Sequence, residues 1–279
     1  MIIRHDIDPE RYLTSPGQFL AVITLSTSQV PVQIAYDPID QLLKPSLIPM
    51  VQMVQTAPEY YTCCNGMGVL IRSNWIVSAA HIAVDLSLDQ AIRFDGGGEG
   101  AIAIKKIVLH PQFKNATSEQ TLSKNDIALL QLNRPAQNIS PLPLYQGESE
   151  LHHQAVLVGR GDFGNGLIGP DQVDGKLRMA TNQIEEADEQ WLRLRFDAPP
   201  ETTDLEGIAG PGDGGSPALL ATHQGWALAG IRSTQASGSL GEGYYGVWEY
   251  YTRLSKYLLW IESVVSSDDG SDLNSQIHH

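Results

Sequence analysis

Three short stretches hold the residue types from which a proton-relay nucleophile is built. Ser78-Ala79-Ala80-His81 ends an apolar run on a histidine, and Asn125-Asp126-Ile127-Ala128-Leu129-Leu130 leads into another from an aspartate. Gly212-Asp213-Gly214-Gly215-Ser216-Pro217 is a glycine-rich loop with one serine. In such a relay a histidine takes the proton of a serine hydroxyl while a buried aspartate holds the imidazole in the right tautomer. Residue types alone leave a second reading open, in which a histidine and an aspartate from separate strands have a purely structural role. A further glycine run, Asp95-Gly96-Gly97-Gly98-Glu99-Gly100, is not followed by the Lys-Ser/Thr pair and helix of a phosphate cradle, and reads as a plain turn.

Positioning these residues falls to β-structure. The 279 residues include 26 Gly and 16 Pro scattered among short apolar runs, a pattern of many turns between strands. Strands are expected at 20–25, 48–54, 101–109 and 225–231, with a hairpin from 68–71 to 75–78 that carries His81 at its end. Residues 175–178 and the alternating run 191–196 read as strands with one wet face. Leu254, Leu258, Ile261 and Val265 share one face of a closing helix. The first 19 residues are polar, 26–46 look like an insertion or lid, and the Ser/Asp-rich 266–279 is expected to be disordered.

A net charge of −14 argues against nucleic acid or an anionic membrane as partner, since both select a basic face. No apolar run is long enough to span a bilayer. The only two cysteines, Cys63 and Cys64, are neighbours and cannot form an ordinary long-range bridge. Together with an N-terminus that lacks the pattern of a secretory leader, they point to a reducing, cytoplasmic setting.

In their order and wording the three stretches resemble the active-site segments of the chymotrypsin/trypsin family of serine proteases. The resemblance runs from about residue 47 to 265 and takes in His110-Pro111-Gln112-Phe113 and the Pro-rich 135–144. It implies an all-β fold of two antiparallel six-stranded β-barrels with a C-terminal helix. Residues 1–46 would then be an N-terminal segment and insertion, 47–135 the first barrel, 136–250 the second, 251–265 the helix and 266–279 a tail. The resemblance makes His81 the base, Asp126 its orienter and Ser233 a supporting hydroxyl, with the oxyanion-hole amides on Gly212 and Gly214. It implies a peptide or protein in the cleft between the barrels, and no cofactor or metal.

The sequence departs from the family at the decisive position. Where the family hexapeptide carries its nucleophilic serine this chain has Gly214, and Ser216 stands two residues later. That leaves a non-cleaving homologue on one side, and on the other an active endopeptidase with Ser216 as nucleophile in a rearranged loop. In the family the hexapeptide aspartate, here Asp213, pairs with an α-ammonium released by cleavage. No matching cleavage sequence lies in residues 1–60, so Asp213 is expected to find its partner without processing. The substrate pocket maps to Ile208, Gln235 and Glu249, with Glu249 turned either inward toward a cationic side chain or out to solvent. The family disulfide beside the histidine would join the positions of Gly66 and Ile82, neither of which is cysteine.

Overall fold

The computed structural model describes residues 1–25, 66–94, 100–115, 122–147 and 149–274. The expected insertion at 26–46, the strand at 48–54, Cys63 and Cys64, and most of the glycine run at 95–100 lie outside the described residues.

The chain begins with β1 (Ile2–Ile3), buried between two strands of the second half. β2 (Val22–Leu25), β3 (Gly66–Arg72), β4 (Trp75–Ser78), β5 (Ala91–Ile92), β6 (Ile102–Leu109) and β7 (Ala128–Leu132) form a six-stranded antiparallel sheet in the order β2-β3-β4-β7-β6-β5, curled nearly into a barrel. Then follow β8 (Gln154–Gly159), β9 (Phe163–Asn165), β10 (Gly169–Gln172), β11 (Arg178–Ala187), β12 (Trp191–Arg195) and β13 (Gly207–Ile208). They are completed by β14 (Pro217–Thr222), β15 (Gly225–Ala236) and β16 (Trp248–Arg253). Six of these close a second barrel in the order β11-β12-β16-β15-β14-β8, while β10-β9-β1-β13 forms a small sheet. Two helices matter here, the single turn α1 (Ala80–Ala83) and the terminal α2 (Leu258–Asn274).

The apolar runs are continuous because the site-bearing strands are buried on both faces. Along a strand successive side chains point to opposite sides. On β7, Ala128, Leu130 and Leu132 pack with Leu70 and Ile76 inside the first barrel. Leu129 instead joins Val69 and Val77 against Val156, Leu219, Leu228 and Ile231 of the second barrel. Each such side chain contributes roughly 1.5–3 kcal/mol when fully buried. A one-residue slip of β7 would exchange these two sets, so the seam between the barrels fixes the register that holds Asp126 in place.

The expected all-β, two-barrel architecture with its closing helix is present. Several boundaries differ. Residues 1–3 fall in the stretch read as a polar N-terminal segment, yet Met1, Ile2 and Ile3 are buried; the apolar pair in β1 bonds to β13 on one side and to β9 on the other. β2 belongs to the first barrel although it precedes residue 47, because it pairs with β3 from Val22↔Val69 to Leu25↔Gly66. Residues 175–177 precede the strand, which starts at Arg178. Residues 251–253 are still in β16, and the helix begins at Leu258 and continues to Asn274, through nine residues expected to be disordered. Where the family resemblance placed a disulfide, a β-carbon on Gly66 would fall 2.6–2.8 Å from the Ile82 side chain. The isoleucine fills that slot by packing.

A buried and a half-buried carboxyl set a pH dependence. Burial pushes Glu206 up to about 7, against hydrogen bonds from Thr203, and pushes Asp162 up to about 6. A raised carboxyl pKa means that the folded state holds a proton the unfolded chain has already lost. The stability these groups lend is complete below their ordinary values of 4.5 and 3.8, and is lost as pH rises through 6 and 7. The thermal midpoint is therefore expected to fall between pH 5 and pH 8, by on the order of 2 kcal/mol of stability for Glu206. Melting curves of Glu206→Gln across that range should be flatter; a slope equal to that of the wild type would exclude Glu206 as the cause.

Candidate active site

β4 ends at Ser78, whose hydroxyl donates to the Met67 carbonyl at 2.6 Å, and the chain turns directly into α1 with His81 on it. Asp126 sits two residues before β7 and is fully buried. Its Oδ1 accepts the His81 backbone N–H at 2.9 Å, and its Oδ2 accepts from His81 Nδ1 at 2.7 Å and from the Ser233 hydroxyl in a short hydrogen bond. Its carbonyl accepts from Thr252 Oγ1 at 2.9 Å. Burial alone would push the Asp126 carboxyl up, but the bonds from His81 and Ser233 outweigh it and hold the carboxyl below its usual value. An ionised carboxylate only accepts, so Nδ1 carries a proton, and the neutral form of the ring then has its lone pair on Nε2. The His81 side chain retains 26% exposure, open to the cleft.

That lone pair faces Gly214. A β-carbon built on Gly214 would lie 2.9 Å from His81 Nε2 and 2.9 Å from Ile82 Cδ1. The position that the resemblance assigns to the nucleophile is therefore where a side chain would meet the base, and this chain places no side chain there. The loop is held in shape from both barrels. Met67 N donates to the Gly214 carbonyl at 2.6 Å, and Gly215 N to the Arg232 carbonyl at 2.9 Å. Gly212 and Gly215 have φ of +86° and +81°, which glycine adopts at little cost, and a β-carbon on Gly215 would sit 2.2 Å from the Met67 carbonyl oxygen.

Asp213, fully buried, is the loop's anchor. Its Oδ1 accepts the backbone N–H groups of Arg160 (2.7 Å) and Gly161 (2.6 Å). Its Oδ2 accepts from Gly210 N (2.9 Å) and from the α-ammonium of Met1 (2.8 Å). The ammonium also donates to the Asp162 carbonyl at 2.6 Å. β-Carbons on Gly159 and Gly161 would clash with the Asp213 carboxyl, which is the physical reason for the glycines flanking Arg160.

Ser216 is only 1% exposed. It lies at the mouth of β14, its amide donating to the Asp213 carbonyl and its own carbonyl accepting from Arg232 N at 2.8 Å. The mapped pocket residues do come together. Ile208 is buried beside Ile2, and Glu249 is inward, with no exposure. Its oxygens accept from Ala209 N (3.1 Å), Gln235 Nε2 (3.1 Å) and Tyr251 OH (3.1 Å). The expectation that an inward Glu249 awaits a foreign cation needs a correction, because the chain's own Arg232 donates to it through Nε at 3.4 Å. Sequence reasoning passed over Arg232 and Met1. A lone arginine inside the apolar run of β15 was the signal for the first; the second had only the two isoleucines that follow it. Among the described residues no three His, Cys, Asp or Glu side chains group closely enough to hold a metal ion.

This geometry agrees with two comparisons. The trypsin family model matches residues 46–261. Vitamin K-dependent protein C of Rattus norvegicus is 29% identical over 232 residues, covering 73% of this chain and 47% of that protein. The Mus musculus protein of the same name is 28% identical over 231 residues, covering 75% and 48%. The chain thus spans about half the length of the curated relatives it matches.

Proposed function

The chain belongs to the trypsin family of serine proteases, and from that premise we propose that it is a homologue impaired in catalysis, whose inter-barrel cleft binds a peptide or protein without cleaving it. One observation carries this reading: His81 Nε2, oriented by Asp126 as a general base, faces the α-carbon of Gly214 and has no hydroxyl to deprotonate. The rest of the relay is intact, so what is missing is the attacking atom. Ser216 is a poor substitute. Consecutive Cα atoms are 3.8 Å apart, and Ser216 is buried with its backbone bonded on both sides to Asp213 and Arg232. Bringing its hydroxyl to Nε2 would break those bonds and draw Asp213 away from Met1.

A fluorophosphonate probe tests this on the purified protein. No covalent adduct is expected after prolonged incubation with the wild type. An adduct located on Ser216 by peptide mass spectrometry, and lost in Ser216→Ala, would overturn the proposal in favour of an active endopeptidase with a displaced nucleophile.

A further inference from the structure

Arg232 has no part in the relay described above, yet it holds a charge in the protein's interior. It lies in β15 directly before Ser233, is only 7% exposed, and its backbone holds the hexapeptide loop through Gly215 and Ser216. Its guanidinium does not reach solvent freely. Nε donates to Glu249 at 3.4 Å, at the buried end of the pocket, and Nη2 to Glu242 at 3.0 Å, a residue still 40% exposed at the outer end. Gln235 ties the same walls together, donating through Nε2 to the Ala209 carbonyl (2.8 Å) and to Glu249, and accepting from Gly243 N (3.1 Å). Of the three residues mapped to the substrate pocket, Ile208 is buried beside Ile2, while Glu249 takes bonds from both Gln235 and the internal cation Arg232.

A charge taken out of water needs a partner of opposite sign and good geometry. Glu249 supplies it, and the donors on Glu249 fill its remaining lone pairs. Here a carboxylate faces a planar guanidinium at the place where the family resemblance puts the substrate pocket, which is how a protein would hold the end of a foreign arginine. We propose that Arg232 is a built-in occupant of the specificity pocket: its guanidinium takes the seat of a guanidinium or amidinium ligand against Glu249, with Glu242 latching its outer face. The pocket has the chemistry to hold a cationic side chain and is closed by the chain itself. This rests on family membership only for the location of the pocket, and it holds whichever residue attacks, because its test reads binding and no turnover.

The probe is benzamidine, an aromatic amidinium, titrated by calorimetry and by thermal shift against the full chain. Wild type is expected to show no binding up to millimolar concentration. Arg232→Ala leaves Glu249 unpaired in an emptied seat, and is expected to bind benzamidine at least tenfold more tightly than wild type, with a melting temperature that rises with ligand. Should that variant fold only when benzamidine is present, the rescue is the same result. The paired variant Arg232→Ala/Glu249→Gln has neither buried charge and keeps the vacated space. It is expected to fold without ligand, to accept uncharged benzyl alcohol, and to bind benzamidine at least tenfold more weakly than Arg232→Ala. Wild type binding benzamidine as tightly as Arg232→Ala would overturn the proposal. So would a folded Arg232→Ala that binds none, or a folded paired variant that binds neither compound.

Discussion

A Gly214→Ser variant is expected to react with a fluorophosphonate on the new serine, on the order of 10³-fold faster than the wild type or more, since the loss of one relay member in this chemistry costs several orders of magnitude. The hydroxyl would enter beside a base already in the right tautomer, with the Asp126 and Ser233 bonds in place. One adjustment is needed. The new β-carbon would lie 2.9 Å from both Nε2 and Ile82 Cδ1, so the imidazole and the isoleucine must each yield by a few tenths of an ångström. Both are side-chain atoms, and Gly214 is not among the glycines of positive φ, so no backbone strain opposes the change. Peptides with Lys or Arg before the scissile bond should remain uncut by this variant while Arg232 fills the pocket. No labelling of a folded Gly214→Ser protein would leave the cleft a binding or structural surface whose relay cannot be restored by a hydroxyl.

Asp213→Ala is expected to be the most destabilising single change considered, at about 3–5 kcal/mol, because it removes the counter-charge of a buried α-ammonium and the acceptor of three backbone N–H groups, those of Arg160, Gly161 and Gly210. At about 2–4 °C per kcal/mol for a domain of this size, the melting temperature should fall by on the order of 10 °C. Asp213→Asn keeps the shape and part of the hydrogen bonding but not the charge, and should fall between alanine and wild type. Differential scanning calorimetry of the three proteins at one pH decides it; a midpoint for Asp213→Ala within 2 °C of wild type would mean that the ammonium pair contributes nothing net.

The fold and the relay were legible because they are written locally. A strand pair closed by His81, an aspartate before a run buried on both faces, and a glycine loop before β14 each follow from patterns a few residues long. What lay beyond the sequence depends on contacts between distant segments. That Met1 meets Asp213, 212 residues away, is dictated by three-dimensional closure of β1 onto β9 and β13. That Glu249 already has its cation depends on the one-residue irregularity in the β15–β16 register between Arg232 and Thr234. The terminal helix was cut short because Ser and Asp suggest disorder, whereas the buried Ile261 and Val265 tie its first turns to the inter-barrel core.

Asp126 has a second employment that changes what its presence means. It stands in the first barrel, and two of its four hydrogen bonds, from Ser233 and from the Thr252 hydroxyl, come from the second. It is therefore a rivet between the two lobes as much as an orienter of His81. The Thr252 bond falls on the main chain and would survive a change of side chain, but a chain that had given up turnover would still need this carboxylate, or it would leave the buried Ser233 hydroxyl unanswered at its central joint. Asp126, beside a glycine at the position mapped to the nucleophile, thus has an architectural reason of its own: it joins the lobes whether or not the cleft turns over a substrate.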